Sequence, residues 1–372
     1  MGNSKEWKHR MGVLALSNRA AKIRQKMAEN NIDALLVTHR PNVFYFSGFS
    51  GTSGFLLLTA EDALLYTDFR YLQQAGEQAP GFEVVRVNST ADFSAAAQLI
   101  SQKGLKNIAL EEAHISLREF HQFKNSYHGD GRIIPLFNFI EGIRAVKEEE
   151  EIAKITKAAR IADDAFQKIL PLLKPGMSEL DLAGELEYRL RKSGSEKLPF
   201  EIIVASGERS ALPHGTASPR IIKEGEPVTV DFGAVYEGYC SDMTRTFLFG
   251  PPSAKQQEIY NMVLQGQKMA LSSIKPGQKA SAADTLVRGL FQQLGYGMYF
   301  GHGLGHGVGL EVHELPTLSP KGEGLLEEAM VFTLEPGIYI EGWGGIRIED
   351  LVVLRSSGVQ NLTNTGKRFV IG

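Results

Sequence analysis

The sequence has few of the features that mark secreted, membrane-spanning or nucleic-acid-binding proteins. Its 372 residues include a single cysteine, Cys240, so no intrachain disulfide can form. No apolar run approaches the ~18 residues of a membrane span, and no block of Lys or Arg suggests a nucleic-acid surface. The 40 basic and 43 acidic side chains leave a net charge of −3. These absences predict a cytoplasmic protein that binds small molecules or peptides, with no nucleic acid and no membrane as partners.

The length and the hydrophobic pattern predict two domains after a flexible N-terminal tail, residues 1–12. Across residues 13–144, short β-branched and aromatic runs alternate with amphipathic stretches, which is typical of a mixed α/β domain. The runs are Ala34–Val37, Gly54–Leu58, Leu64–Tyr66, Val84–Val87 and Ile108–Leu110. A helix with an acidic first turn is predicted to begin near Lys147. We therefore place a second domain at residues 145–372.

The second domain contains a faint internal repeat. Lys-Pro-Gly turns at 174–176 and 275–277 each precede a predicted helix, and these helices are expected to end at Gly194 and Gly295. The prolines (276 − 175) and the terminal glycines (295 − 194) are both offset by 101 residues. Chance recurrence of a short turn is the alternative. If the repeat is real, the domain has two related halves, and the seam between them is a natural binding site.

Two acidic residues of the first half are predicted to face each other on a hairpin. Strand-like runs at Val228–Tyr236 and Tyr239–Phe247 are joined around Glu237-Gly238. With the turn centred near 236.5, positions that sum to 473 are paired, which places Asp231 opposite Asp242. Adjacent carboxylates repel unless a cation or a proton lies between them. Ordinary surface acids on an edge hairpin are the alternative.

The same register places Cys240 opposite Gly233. We interpret this cysteine as a small buried hydrophobic residue, because no histidine is indicated as the base that a nucleophilic thiol would need.

The second half repeats this arrangement. The runs Val331–Tyr339 and Gly345–Val353 flank a glycine-rich turn. The midpoint of 335 and 349 is Gly342, inside the turn, so Glu335 and Glu349 are also expected to face each other. Four converging acids without positive partners imply metal, and their oxygens can bridge two divalent ions.

Histidines lie between the two acidic pairs. His302 and His306 are four residues apart, but glycine at every second position from 301 to 309 makes a helix improbable. An extended backbone would place both imidazoles on one side, opposite glycines that let another segment approach closely. His313 is expected on the other side or beyond a bend. A further histidine, His214, follows a buried-strand pattern on a Pro/Gly turn.

These residues closely resemble the "pita-bread" metallopeptidases, in particular the Xaa-Pro aminopeptidases and the Xaa-Pro dipeptidases (prolidases). The segment His302–Glu314 matches the proline-peptidase signature at every constrained position. The other matching segments are Leu212–Gly215, Val230–Gly233, Ser241–Thr246, Leu334–Gly337 and Gly345–Asp350. Phe49–Gly54 and Thr67–Tyr71 are similar to the family's creatinase-like N-terminal domain. The resemblance implies an α/β (α+β) protein: a mixed-sheet N-terminal domain and a pseudo-twofold duplicated pita-bread catalytic domain.

The resemblance also implies a dinuclear metal site. The residues that match its five ligands are Asp231, Asp242, His306, Glu335 and Glu349. Manganese is the metal that we expect, and cobalt or zinc would also suit these ligands. His302 would lie around the metals and contact substrate. Arg347 matches an arginine that steadies the carboxylates.

By the same resemblance, Glu335 would be the catalytic proton acceptor, and His214 and His313 would contact substrate and act in catalysis. The expected reaction is hydrolysis of the bond between an N-terminal residue and a following proline, as in an Xaa-Pro aminopeptidase. An Xaa-Pro dipeptidase is the near alternative. A non-catalytic peptide-binding module and a metal-free hydrolase of the creatinase type are alternatives of other classes. A homodimer is expected from the family.

Overall fold

The computed structural model describes Leu16 and residues 18–371. The predicted flexible tail, residues 1–12, lies outside the described residues. The chain divides into two compact units between Glu141 and Gly142, a few residues before position 145, where the sequence pattern places the boundary. Within the part of the chain that the structure describes, every helix is too short or too polar to cross a membrane.

The N-terminal unit is built on one mixed sheet of six strands. The strands are β1 (Ala34–Val37), β2 (Phe55–Thr59), β3 (Ala63–Thr67), β4 (Glu83–Arg86), β5 (Asn107–Glu111) and β6 (Arg132–Leu136). The helices are α1 (18–29), α2 (Arg40–Ser47), α3 (Leu72–Gln78), α4 (Ser94–Gln102) and α5 (Leu117–Ser126), and a short α6 (Glu141–Ala145) spans the division.

The order of this sheet is β4-β3-β2-β1-β5-β6, with β1, β2 and β3 antiparallel and the outer strands parallel to their neighbours. The five predicted runs all overlap strands β1 to β5, so the mixed α/β prediction is confirmed. We did not predict β6. It contains Pro135, which cannot donate to a ladder, and it lies at the edge of the sheet, where proline is tolerated.

The C-terminal unit contains two similar helix pairs. They are α7 (Glu149–Ile169) with α8 (Glu179–Lys192), and α9 (Ala254–Ser273) with α10 (Ala280–Gln293). The starts of α8 and α10 (280 − 179) and their ends (293 − 192) are both offset by 101 residues. The glycines beyond these helices, Gly194 and Gly295, have φ values of 107° and 83°, in the left-handed region that ends helices. The predicted repeat is confirmed.

Each helix pair covers its own group of strands. The strands are β7 (Ile203–Ser206), β8 (Val228–Phe232), β9 (Val235–Tyr236), β10 (Tyr239–Cys240), β11 (Met243–Phe249), β12 (Gly305–Gly307), β13 (Glu314–Leu318), β14 (Val331–Leu334), β15 (Gly337–Ile340), β16 (Gly344–Arg347), β17 (Asp350–Arg355), β18 (Gly358–Asn361) and β19 (Val370–Ile371). Three short 3₁₀ helices are Leu170–Leu172, Gly207–Ala211 and Gly297–Tyr299.

The strands form two main sheets, ordered β19-β11-β8-β7 and β13-β12-β14-β17-β18, and two ribbons, β9-β10 and β15-β16. One apolar core joins α7 and α8 to the first sheet, and a second joins α9 and α10 to the other sheet. This is the predicted duplicated architecture. In each half a hairpin is interrupted, between β8–β11 and β9–β10 in the first half and between β14–β17 and β15–β16 in the second. Asp242, Glu335 and Glu349 lie at these interruptions, and Asp231 lies near one of them in β8.

Candidate metal centre

The second acidic pair has the predicted register. Residues that sum to 684 are paired both in β14–β17 and in β15–β16. Glu335 and Glu349 fall in the gap between these two ladders, where their backbones leave the regular pairing. The Glu335 amide donates to the Leu304 carbonyl at 2.8 Å, and the Glu349 amide donates to the Thr244 carbonyl at 3.2 Å. The gap therefore frees both side chains to point toward residues of other strands.

The predicted register of the first acidic pair is wrong by two residues. Positions that sum to 475 are paired, so Thr244, and not Asp242, lies opposite Asp231. The reason is the turn, because Glu237 (φ 46°) and Gly238 (φ 82°) both adopt left-handed conformations. A two-residue turn of this kind is centred on 237.5. Asp231 and Asp242 are thus diagonal neighbours, a spacing that still lets their side chains meet.

The five predicted ligands all line one cavity of about 440 Å³. Ligand atoms of Asp242, His306 and Glu349 lie within 4.8 Å of one another. His306 Nε2 is 3.3 Å from Glu335 Oε1 and 3.7 Å from Asp242 Oδ2. The longer separation is beyond hydrogen-bond range, and both leave room for a cation among the atoms.

The hydrogen bonding of His306 fits a metal ligand. Its Nδ1 lies 3.1 Å from the Gly307 carbonyl oxygen, which can only accept, so Nδ1 carries the proton in the neutral ring. Burial lowers the pKa of His306, which favours that neutral ring. The lone pair of Nε2 then faces the carboxylates of Asp242 and Glu335. Lone pairs directed at anions repel, whereas a divalent cation between them would be held by all three groups.

The carboxylates are also short of donors. Asp231 Oδ1 and Asp242 Oδ1 are buried and have no hydrogen-bond partner among the described residues. Burial, and then the charge of Glu349, raise the pKa of Asp242 well above its ordinary value, while burial and Glu335 do the same for Glu349. Burial also raises the pKa of Glu335. Four hard oxygen donors and one imidazole fit one or two divalent ions such as Mn²⁺, Co²⁺ or Zn²⁺.

Arg347 is a cation that touches this cluster. Its side chain is 3% exposed, and Nη2 donates to Asp231 Oδ2 at 2.7 Å. Nε donates to the Thr244 hydroxyl at 2.9 Å, and this hydroxyl donates to Glu349 Oε2 at 2.7 Å. Arg347 and Thr244 thus connect one acid from each half of the repeat, and together they fix the orientation of both carboxylates.

The other predicted histidines line the same cavity. His302 Nε2 lies 2.8 Å from the Tyr339 hydroxyl, and its Nδ1 lies 4.0 Å from Glu335 Oε2. The ring of His313 is centred 4.1 Å from that of His306, so it reaches the site from the end of the bend at 309–313. Burial, and then His306, lower the pKa of His313 to about 4. His214 comes from the loop that follows β7.

Two of the alternating glycines, Gly305 and Gly307, allow the close approach of other backbone segments that their spacing predicts. A Cβ atom at Gly305 would lie 2.0 Å from the Thr333 carbonyl oxygen, and one at Gly307 would lie 2.0 Å from the Leu315 carbonyl oxygen. Any side chain at these positions would push β12 away from its neighbours. The extended interpretation is confirmed for residues 305–307, which form β12.

Cys240 is paired with Val235, and not with Gly233 as we predicted, because of the same two-residue shift. The residue is 4% exposed, and burial raises the pKa of its thiol to about 12. Such a thiol is protonated at neutral pH, which agrees with a packing residue.

Two polar residues of the site were missed in the sequence. Thr244 follows Asp242 by two positions, so strand alternation could have placed it on the same face. Tyr339 carries no comparable signal. Its hydroxyl accepts a hydrogen bond from Arg347 Nη1 at 2.9 Å, and burial raises its pKa to about 12.

The chain is similar to known proteins across both of its units. Residues 153–356 match the model of metallopeptidase family M24, and residues 19–146 match the Creatinase/Prolidase N-terminal domain. The chain is 39% identical to an Xaa-Pro dipeptidase of Pyrococcus horikoshii over 356 residues, covering 95% of this chain and 99% of the relative.

Two solved structures are similar over nearly their whole length. An Xaa-Pro dipeptidase from Bacillus anthracis has a TM-score of 0.92 and 41% identity, covering 96% of this chain and 100% of that one. An X-Pro aminopeptidase from Thermotoga maritima has a TM-score of 0.87 and 40% identity, covering 95% and 99%.

Proposed function

Because the chain belongs to metallopeptidase family M24, we propose that it is a metal-dependent exopeptidase that cleaves the bond between an N-terminal residue and a following proline. The observation that carries this proposal is the convergence of four carboxylates with the free Nε2 of a neutral imidazole in one cavity. We further propose that Asp231, Asp242, His306, Glu335 and Glu349 hold two divalent ions, with manganese preferred. When bound, such ions supply Lewis-acid activation of water and of the scissile carbonyl.

The side chains that line the cavity would each have a separate role in the reaction. Glu335 is 16% exposed, and partial burial raises its pKa, so its carboxylate can take a proton from the attacking water. The imidazoles of His214 and His313 line the cavity and can donate to the substrate carbonyl as negative charge develops. The acidic cluster attracts the free α-amine of a substrate, which would restrict cleavage to the N-terminal residue. Arg347 keeps Asp231 oriented throughout.

We propose that peptides longer than two residues are accepted, as in an aminopeptidase. The free carboxylate of an Xaa-Pro dipeptide would lie beside the proline and needs a cation. Arg347 is the one Lys or Arg among the described residues that line the cavity, and its donors serve Asp231, Thr244, Tyr339 and the Pro213 carbonyl. A dipeptidase is the second candidate, and it is favoured by the relatives that are named Xaa-Pro dipeptidases.

Two assays test these proposals. Release of the first residue from Xaa-Pro and from Xaa-Pro-Yaa-Yaa separates the candidates, since cleavage confined to the dipeptide would exclude the aminopeptidase. Activity that survives exhaustive chelation would contradict the metal-dependent mechanism, and it would revive the metal-free alternative. Absence of turnover with metal bound would leave the peptide-binding alternative.

A homodimer and a cytoplasmic location remain predictions. Light scattering coupled to gel filtration would test the dimer, which we expect at twice the mass of the 40.9 kDa chain.

A further inference from the structure

A single buried carboxylate binds both ends of the loop that carries His214. The loop runs from Ser206 to Ser218, and Glu179, the first residue of α8, is 0% exposed. Glu179 Oε1 accepts hydrogen bonds from the Ser206 amide and hydroxyl, both at 2.8 Å. Its Oε2 accepts from the Ser218 amide at 3.1 Å and hydroxyl at 2.6 Å. The carboxylate therefore closes the base of the loop.

A cation within the loop completes this clamp. Arg209 Nη1 donates to Glu179 Oε2, and Arg209 Nη2 donates to the Thr216 carbonyl at 2.7 Å. Together with the amides and hydroxyls of Ser206 and Ser218, Arg209 Nη1 gives the carboxylate five donors, all of which belong to the loop. A fully buried carboxylate is costly unless it is paired and hydrogen-bonded, so the loop and Glu179 stabilise each other.

We propose that Glu179 is a positioning residue that holds His214 in the substrate cavity. Glu179 does not line the cavity, whereas His214 does. An uncharged amide in place of the carboxylate would keep an acceptor oxygen for one end of the loop only, would present an NH2 donor to the other end, and would leave Arg209 without its counter-charge. The loop would then open at its base, and the imidazole would spend less time over the substrate. This inference rests on the proposed function, in which His214 contacts the scissile peptide.

A double-mutant cycle tests the coupling. We expect Glu179→Gln to lower kcat/KM by about 10- to 100-fold, because a small misplacement of a catalytic group has effects of this size. In the His214→Ala background the same substitution should have little further effect. Glu179→Asp, which retains the charge, should recover part of the activity. Arg209→Gln should behave like Glu179→Gln, and it replaces that variant if Glu179→Gln does not fold.

Two further measurements separate positioning from general destabilisation. Hydrogen exchange should rise across residues 206–218 in Glu179→Gln, while Mn²⁺ affinity measured by calorimetry stays unchanged.

Asp163 is a matched control, because it is also a buried carboxylate and accepts the Asn364 and Thr365 amides at 2.8 and 2.7 Å, far along the chain from the loop. Asp163→Asn should lower the melting temperature but keep kcat/KM within about twofold.

Three outcomes would overturn the inference: multiplicative losses in the double variant, unchanged loop exchange, or an equal loss of activity in Asp163→Asn. If the wild-type chain does not cleave Xaa-Pro peptides, the proposed function fails. Hydrogen exchange would still decide whether Glu179 holds the loop.

Discussion

Replacing Gly305 by alanine should disrupt the metal centre through backbone contact alone. The added Cβ would lie 2.0 Å from the Thr333 carbonyl oxygen and 2.7 Å from its carbonyl carbon, and ordinary contacts begin at 3.4 Å. The two strands must therefore separate by 3.4 − 2.0 = 1.4 Å. Both atoms of Thr333 belong to the backbone of β14, so no flexible side chain can relieve the contact.

The displacement falls between two proposed ligands. β12 carries His306 and β14 leads into Glu335, and the facing atoms of these side chains are 3.3 Å apart. A misplacement of about 1 Å can cost on the order of 100-fold in rate. We expect kcat/KM to fall by about 100-fold or more and Mn²⁺ affinity to weaken. Overpacking should also cost about 1–3 kcal/mol of unfolding free energy.

Gly301 provides the matched control. It precedes His302 as Gly305 precedes His306, but a Cβ atom there would meet nothing within 4 Å. Gly301→Ala should therefore keep kcat/KM and the Mn²⁺ affinity within about twofold of wild type. Steady-state hydrolysis of an Xaa-Pro peptide, calorimetric metal titration and thermal denaturation measure the three quantities. Unchanged metal affinity and activity in Gly305→Ala would refute the close-approach argument.

Three further predictions concern single side chains. Glu335→Gln should lower kcat by about 10²- to 10⁴-fold in steady-state assays, and a near-normal kcat would exclude Glu335 as the proton acceptor. Burial raises the pKa of Glu314, but Lys147 and Arg144 lower it more, so the net shift is downward. Glu314→Gln should lower the free energy of unfolding by about 3–5 kcal/mol near neutral pH. This difference between the variant and the wild type should shrink as the pH falls below 4.5, because Glu314 then loses its charge in both the folded and the unfolded chain. A difference that does not change with pH would contradict the ion-pair explanation. Cys240→Ala should keep kcat/KM within about twofold, and a larger loss would contradict its role in packing.

Local spacing was sufficient to predict much of the fold and part of the site. The register of Glu335 and Glu349 follows from symmetry about Gly342, because the two ladders on either side of the gap share one register. The register of Asp231 and Asp242 was predicted wrongly because the turn was centred at 236.5. The two runs leave Glu237-Gly238 between them, and the left-handed conformation of both residues centres the turn on 237.5.

Spacing within a segment could not predict the individual contacts between distant segments, although the family resemblance assigned Arg347 to the carboxylates. Arg347 and Asp231 are 116 positions apart, and Thr244 and Glu349 are 105 apart. Such pairs form because the two halves of the repeat meet at the seam, and no periodicity within either segment carries that information. The clamp on the His214 loop is similar, since Glu179 looks like an ordinary acidic residue in the first turn of a helix.

Metal stoichiometry tests the central claim most directly. Chelator-stripped protein would be titrated with Mn²⁺ by calorimetry, and the Xaa-Pro peptidase activity would be followed at each addition. We predict two ions bound per chain, with activity returning as the sites fill and failing to return in Asp242→Asn. Full activity in the stripped protein, or no binding of Mn²⁺, Co²⁺ or Zn²⁺, would contradict the account.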